Sequence, residues 1–193
     1  MQEMAELFTG CRTYRRFQQE PVPQALLHTL VNVARERSCA RNGNVLRYAV
    51  ASRPELVAAM QPMLRWAAAL PPEIGTPRPG EQPTAFVVIL REHGAGPLSD
   101  IDVGIAADAM AITAWQQGVG SAIIASVNHP QVKELLQLPE DWDIRLVLAL
   151  GYPAHTSTLV TPQDEASLDY YVDEARNYFV PKLPESQVIR YYE

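Results

Sequence analysis

An α+β sandwich, one sheet with helices packed around a single core, is the fold class this sequence predicts. Three observations predict it. The run TAFVVIL at 84–90 has strand length and β-branched residues, and it reads as a strand buried on both faces; 143–150 reads as another strand. Apolar residues elsewhere recur at helical spacing. The 193 residues, 47% hydrophobic and 20% charged, suffice for one domain whose core needs no disulfide or metal. We expect a single domain over 1–193, with a core over about 1–155 and an extension over about 156–193.

Taken in order, Met1 to Gly10 reads as a short helix anchored by Leu7 and Phe8. Cys11 to Phe17 follows, then a loop with Pro21 and Pro23. Leu26, Leu27, Leu30, Val31 and Ala34 form one stripe of a helix over 24–37, with Pro23 suited to its first turn. The polar stretch 38–44 is a loop, 45–51 a strand, and Pro54 starts a helix to Met60. A short apolar helix is expected over 63–70, with Trp66. The five prolines of 71–83 predict irregular structure. Ser99 or Asp100 can cap a long helix over about 101–117. Its stripe of Ile101, Ile105, Ala109, Ile112 and Trp115, with four further alanines, leaves it apolar nearly all round, as in a central or interface helix. Gly118 and Gly120 end it. A strand over 121–127 and a helix over 130–138 precede the strand at 143–150. The last forty residues lack an apolar pattern of their own and read as an arm that packs on something else.

Composition narrows function. Sixteen Lys plus Arg against 22 Asp plus Glu give a net charge of −6, so general affinity for nucleic acid or an anionic membrane is not expected. Cys11 and Cys39 make no disulfide framework and no CxxC pair. No apolar run approaches the roughly 20 residues of a membrane span, and the N-terminus lacks a signal-peptide core, so a cytoplasmic protein is the expectation. No strand–GxGxxG–helix, Walker loop, HExxH or GxSxG occurs. The four histidines, His28, His93, His129 and His155, are scattered, and no metal site or catalytic triad is assigned to them.

Three segments carry chemistry. Arg12-Thr13-Tyr14-Arg15-Arg16 places three of the sixteen cationic residues in five positions. In an extended chain Thr13 and Arg15 share one side, a hydroxyl and a guanidinium suited to phosphate; the alternative is a solvated basic turn paired with carboxylates. In SCARNGNVLRY, Asn42 and Asn44 flank Gly43; their amides can read the edge of a planar heterocycle, or can serve turn geometry alone. In GVGSAIIAS the glycines end a helix, and the strand after them can let backbone approach a ring system.

These segments, in this order, resemble the FMN-dependent nitroreductase family. The resemblance runs from RTYRRF through SCARNGNVLRYAVASRPEL and resumes at DVGIAADAMAITAWQQGVGSAIIASVN and VKELLQLPEDWDIRLVLALGYPA. It implies a mostly antiparallel sheet flanked by helices, and a homodimer with FMN sites at its interface and C-terminal arms exchanged between subunits. It implies phosphate binding by Arg12, Thr13 and Arg15, completed by Lys182, with Asn42 and Asn44 at the flavin ring. Ile123, Ile124, Ala125 and Ser126 would run beside the ring's N5 and O4 edge. Thr13 stands where Ser is usual, Cys11 where Arg or His is frequent, and Asn44 where Gln is common. Asp108 stands where Gln is frequent, and we expect it paired or at a wet edge. The implied activity takes hydride from NADH or NADPH through FMN to a nitroaromatic, quinone or similar small acceptor, with no catalytic side chain of its own. Two alternatives are a flavin-binding sensor or carrier and a degenerate dimer that binds no flavin.

Overall fold

The computed structural model describes residues 2–162 and 167–193. Its centre is a four-stranded sheet in the order β1-β2-β4-β3, antiparallel throughout: β1 is Leu46–Ala51, β2 Ala85–Glu92, β3 Gly120–Ile124 and β4 Trp142–Gly151. Strand β2 is inside the sheet, and its first six residues are completely buried. Period two sorts its side chains. Ala85, Val87 and Ile89 join Leu148 and Leu150 on one face; Phe86, Val88 and Leu90 join Val147 and Ala149 on the other. Both faces therefore need a cover, as the unbroken apolar run of β2 requires.

Helices α2 (Gln24–Glu36) and α5 (Ser99–Gln116) cover the first face through Leu27, Leu30, Ala34, Val103, Ala106, Ala107, Met110 and Ala114. Each large aliphatic side chain sealed this way contributes about 1.5–3 kcal/mol. The second face packs against α3 (Pro54–Met60), α6 (His129–Leu136), the segment around Trp66, and Tyr14 and Phe17. Helix α1 (Gln2–Gly10) lies against α5.

Several expectations are corrected. The helix expected over 63–70 is absent. Leu64 bridges Val127, the Asn128 N–H donates to the Met63 carbonyl at 2.8 Å, and the Arg65 N–H donates to the Ser126 carbonyl at 3.0 Å. Those tertiary bonds outweigh local propensity and bury Trp66. The proline-rich stretch does contain one regular turn, α4 (Pro72–Gly75). Ser99 is the first residue of α5 rather than a cap, and its hydroxyl donates to the Gly96 carbonyl at 2.6 Å. Phe8 is half exposed rather than an anchor.

Most of the stripe on α5, read as that of a central or interface helix, points away from the sheet, while Trp115 at its end stacks on Tyr14. Ile101 is 60% exposed, and Ile105, Ala109 and Ile112 are only partly covered, beside Phe8. Asp108 is on this exposed side, a wet position, as expected. The C-terminal residues build a second sheet in the order β5-β7-β6, from Ser157–Val160, Tyr178–Pro181 and Tyr171–Val172, with a final turn of helix, α7 (Glu185–Val188). This sheet was not legible as strands. It is anchored on its own chain by Tyr178, 1% exposed. Among the described residues, no helix is long and apolar enough to cross a membrane.

Candidate functional site

The basic segment is clamped along its length. The Tyr14 N–H donates to the Ser121 carbonyl at 2.8 Å, and Thr13 bridges Ser121. The Ala154 N–H donates to the Arg16 carbonyl at 3.0 Å, and the Gln18 N–H to the Tyr152 carbonyl at 2.8 Å. Three glycines make the approach possible. A Cβ on Gly120 would lie 2.7 Å from the Tyr14 ring, one on Gly151 2.9 Å from Phe17, and one on Gly10 2.8 Å from Trp115. Tyr14 is buried and stacks on Trp115, with ring centroids 5.1 Å apart.

The three arginines of this segment are engaged unequally. Arg16 turns inward, and both of its terminal nitrogens are engaged. It pairs with Glu81 at 3.5 Å and donates to the carbonyls of Ala175 and Arg176. Arg176 grips the same carboxylate with one nitrogen at 3.0 and 2.9 Å from its two oxygens. Burial opposes charge on Glu81, but the Arg176 hydrogen bond, the Arg78 N–H and the two guanidinium charges outweigh it and lower its pKa. Arg12 and Arg15 differ: among the described residues neither forms an ion pair. Arg12 Nε is buried without a hydrogen-bond partner. The Arg15 guanidinium lies 4.5 Å from the Tyr170 ring centroid and 5.0 Å from that of Tyr178. Thr13 is exposed. Two uncompensated guanidiniums and a free hydroxyl suit a phosphate.

Strand β3 carries the neighbouring expectations. It is an edge strand, and the Ser121 backbone faces outward to Tyr14. With period two, the backbone groups of Ile123 also face the open edge, while those of Ile124 pair with Val147 on β4. Ile123 is 48% exposed and Ile124 buried. Ala125 and Ser126 lie beyond the strand and are exposed.

The asparagine loop is elsewhere. Asn42 ends a turn over Ala40–Asn42 tied to α5 by Asp102, whose carboxylate accepts the Ala40 N–H at 2.8 Å. Asn42 and Asn44 both have positive φ, 53° and 52°, and both are exposed. The Asn44 amide donates to the Asn42 carbonyl at 2.7 Å and approaches its side-chain oxygen at 3.2 Å. A cleft of about 290 Å³ beside the loop is lined by Cys39, Asn44, Arg47, Tyr48 and Asp102. Burial, then the charges of Cys39 and Asp102, pushes Tyr48 up to about 12, so it stays a neutral phenol. Asp102 is in the first turn of α5 and Trp115 in its last, about 20 Å apart along the axis. The asparagine loop and the basic segment thus occupy opposite ends of α5. Lys182, exposed just past β7, makes no side-chain hydrogen bond or ion pair among the described residues, and its backbone N–H donates to the Val160 carbonyl at 3.1 Å.

Three residues that the sequence did not single out belong to the basic end. His155 accepts the Arg15 N–H at Nε2 (3.0 Å); Tyr170 and Tyr178 cover Arg15. A 140-residue separation left no local signal for the first pair. Cys11, beside this site, has its thiol pKa raised by burial and then by Asp108, against the pull of Arg12, so the protonated thiol is favoured.

Comparison with known proteins agrees with this architecture. No curated protein matches. Among solved structures, a nitroreductase family protein from Clostridium difficile superposes with a TM-score of 0.68 at 17% identity, covering 97% of each chain. Nitroreductase A from Vibrio parahaemolyticus gives 0.67 at 21% identity, over 87% of this chain and 75% of its own. An FMN-dependent nitroreductase from Clostridium difficile gives 0.66 at 15% identity, over 86% and 95%. At these identities the likeness speaks for the fold. The family assignment comes from sequence: the Nitroreductase family model matches residues 9–152, from the basic segment through β4, and the chain belongs to that family.

Proposed function

We propose that the protein is an FMN-dependent oxidoreductase that passes hydride from NADH or NADPH to a nitroaromatic, quinone or similar small acceptor. The observation that carries this reading is a pair of arginines that, among the described residues, face no carboxylate, beside the open edge of β3. Among the described residues, buried Arg12 Nε has no hydrogen-bond partner and Arg15 no ion pair; with exposed Thr13 they fit an FMN phosphate. The outward backbone groups of Ile123, with Ala125 and Ser126 following, fit the polar edge of its ring. When bound, FMN supplies the hydride chemistry, which agrees with a site that offers no nucleophile or acid–base pair. The chain's own residues bind and orient. Arg12, Thr13 and Arg15 hold the phosphate, and the β3 edge donates and accepts at the ring.

Asn42 and Asn44 enter this reading through a second copy of the chain. They stand at the far end of α5 from Arg15, so one chain does not close both halves around one FMN. The face of α5 bearing Ile101, Ile105 and Ile112, beside Phe8, is apolar and uncovered, and a second copy packed there would bury it. Lys182, exposed just past β7, belongs to the same two-chain site, on an arm reaching the partner.

Absorbance spectroscopy of the purified protein with and without FMN tests the cofactor. A two-band flavin spectrum, bleached by NADH or NADPH without oxygen, is expected. Flavin that stays oxidised makes the protein a carrier or sensor; failure to take up FMN overturns the reading. Mixing Arg15→Ala and Asn42→Ala chains tests the shared site, because a mixed dimer regains one intact site and each variant alone has none.

A further inference from the structure

We propose that His155 is a positioning residue, which holds the Arg12–Arg15 segment in its phosphate-binding shape by accepting the Arg15 backbone N–H. The proposal rests on the FMN reading and deepens it. His155 is 9% exposed and both ring nitrogens are engaged. Nε2 lies 3.0 Å from the Arg15 nitrogen and Nδ1 2.8 Å from the Thr156 carbonyl oxygen. The partners dictate the tautomer. A carbonyl requires a donor at Nδ1, and an N–H requires a lone pair at Nε2. Only the neutral imidazole meets both demands.

The ring is also held in place. It lies between Tyr14 and Tyr178, with centroids 5.3 and 4.8 Å away. The Thr156 carbonyl that anchors Nδ1 also accepts the Tyr178 N–H at 2.9 Å, so the ring's orientation is tied to β7. Arg15, Arg16, Arg176, Tyr14 and Tyr178 are the titratable groups that face it. Burial, then the charges of Arg16, Arg15 and Arg176, outweighs the opposing pull of the Thr156 carbonyl and holds its pKa down to about 4. Burial also raises Tyr14 and Tyr178, so both phenols stay neutral. An acceptor that is still neutral at neutral and mildly acidic pH is what the Arg15 amide needs beside three guanidiniums. Arg15 is thereby set from two sides: its amide by His155, its guanidinium by Tyr170 and Tyr178.

The test compares wild type, His155→Phe and His155→Gln by FMN titration, followed through flavin fluorescence. Phe keeps the ring and removes the acceptor. FMN is expected to bind about tenfold more weakly to His155→Phe at neutral pH. Gln, whose amide carries both an acceptor and a donor, is expected to recover part of that loss. The Phe-to-wild-type ratio should shrink as pH falls towards about 4, because protonated His155 loses the same acceptor. Hydrogen exchange at the Arg15 amide gives a readout independent of flavin: protected in wild type, faster in His155→Phe. Equal affinities, or a ratio that ignores pH, with the Arg15 amide still protected, would reduce His155 to a space-filling ring and overturn the proposal. Wild-type protein that takes up no FMN overturns the functional reading and the positioning role together.

Discussion

The two ends of α5 bear two halves of one expected site, yet they are built differently. At the C-terminal end, Tyr14 stacks on Trp115 and the His155 ring packs tilted between Tyr14 and Tyr178, glycines admit the chain without side chains in the way, and Arg16 is locked to Glu81 and Arg176. At the N-terminal end, Asn42 and Asn44 are exposed, bonded to each other, and held to α5 through one carboxylate contact at Ala40. The contrast follows from what each half would bind. A phosphate is small and doubly charged, and rewards donors fixed in advance. A flavin ring is held largely by shape, and the loop that meets it can be completed by another chain.

The comparison can be broken or sharpened by four measurements, the first with the largest expected effect. His155 ties stability to pH at the rigid end. Its pKa lies near 4 in the folded chain against an ordinary 6.5. The unfolded chain therefore takes up its proton first, and stability falls as pH drops from about 6.5 to about 4. The loss is on the order of 3 kcal/mol. Urea unfolding across that range should show this slope in wild type and a smaller one in His155→Phe.

Glycine substitutions come next. Gly120→Ala puts a methyl against Tyr14 and Pro153 and should cost about 2–3 kcal/mol in urea unfolding. Gly43→Ala has αR backbone and a nearest neighbour at 3.3 Å, and should cost under about 1 kcal/mol. Similar costs at the two ends would erase the contrast.

Adjacent arginines should separate binding from folding. Arg15→Ala should weaken FMN about tenfold. Removal of Arg16 breaks three hydrogen bonds of a buried guanidinium, and Arg16→Ala should lower unfolding free energy by about 2 kcal/mol. A matched loss of flavin affinity with unchanged stability in both would show that the segment's alternation does not sort its roles. The smallest effect is expected at Asn44→Ala. Its amide serves an exposed contact with Asn42, so stability should change by less than about 0.5 kcal/mol. Its effect on FMN then reports the ring contact alone.

Much of the fold was legible from local pattern. The run at β2 announced a strand buried on both faces, and the spacing of Leu27, Leu30 and Ala34 announced the face of α2, because burial of a regular element imposes its own period on the sequence. The helix expected over 63–70 failed because Leu64 and Arg65 find partners at 126 and 127, and no local window contains them. The stripe on α5 was seen, but not which of its two apolar sides meets the sheet.

The site divides along the same line. Neighbouring residues were enough for the family, the succession of most core strands and helices along the chain, and the concentration of positive charge at Arg12–Arg16, since each of these is written locally. Only the folded arrangement made Arg16 a structural anchor while Arg12 and Arg15 pair with no carboxylate among the described residues. It decided that His155 accepts the Arg15 amide, and that the asparagines stand at the other end of α5. Each of those outcomes is a contact between residues far apart in the chain, and it exists only once the sheet has brought the two together.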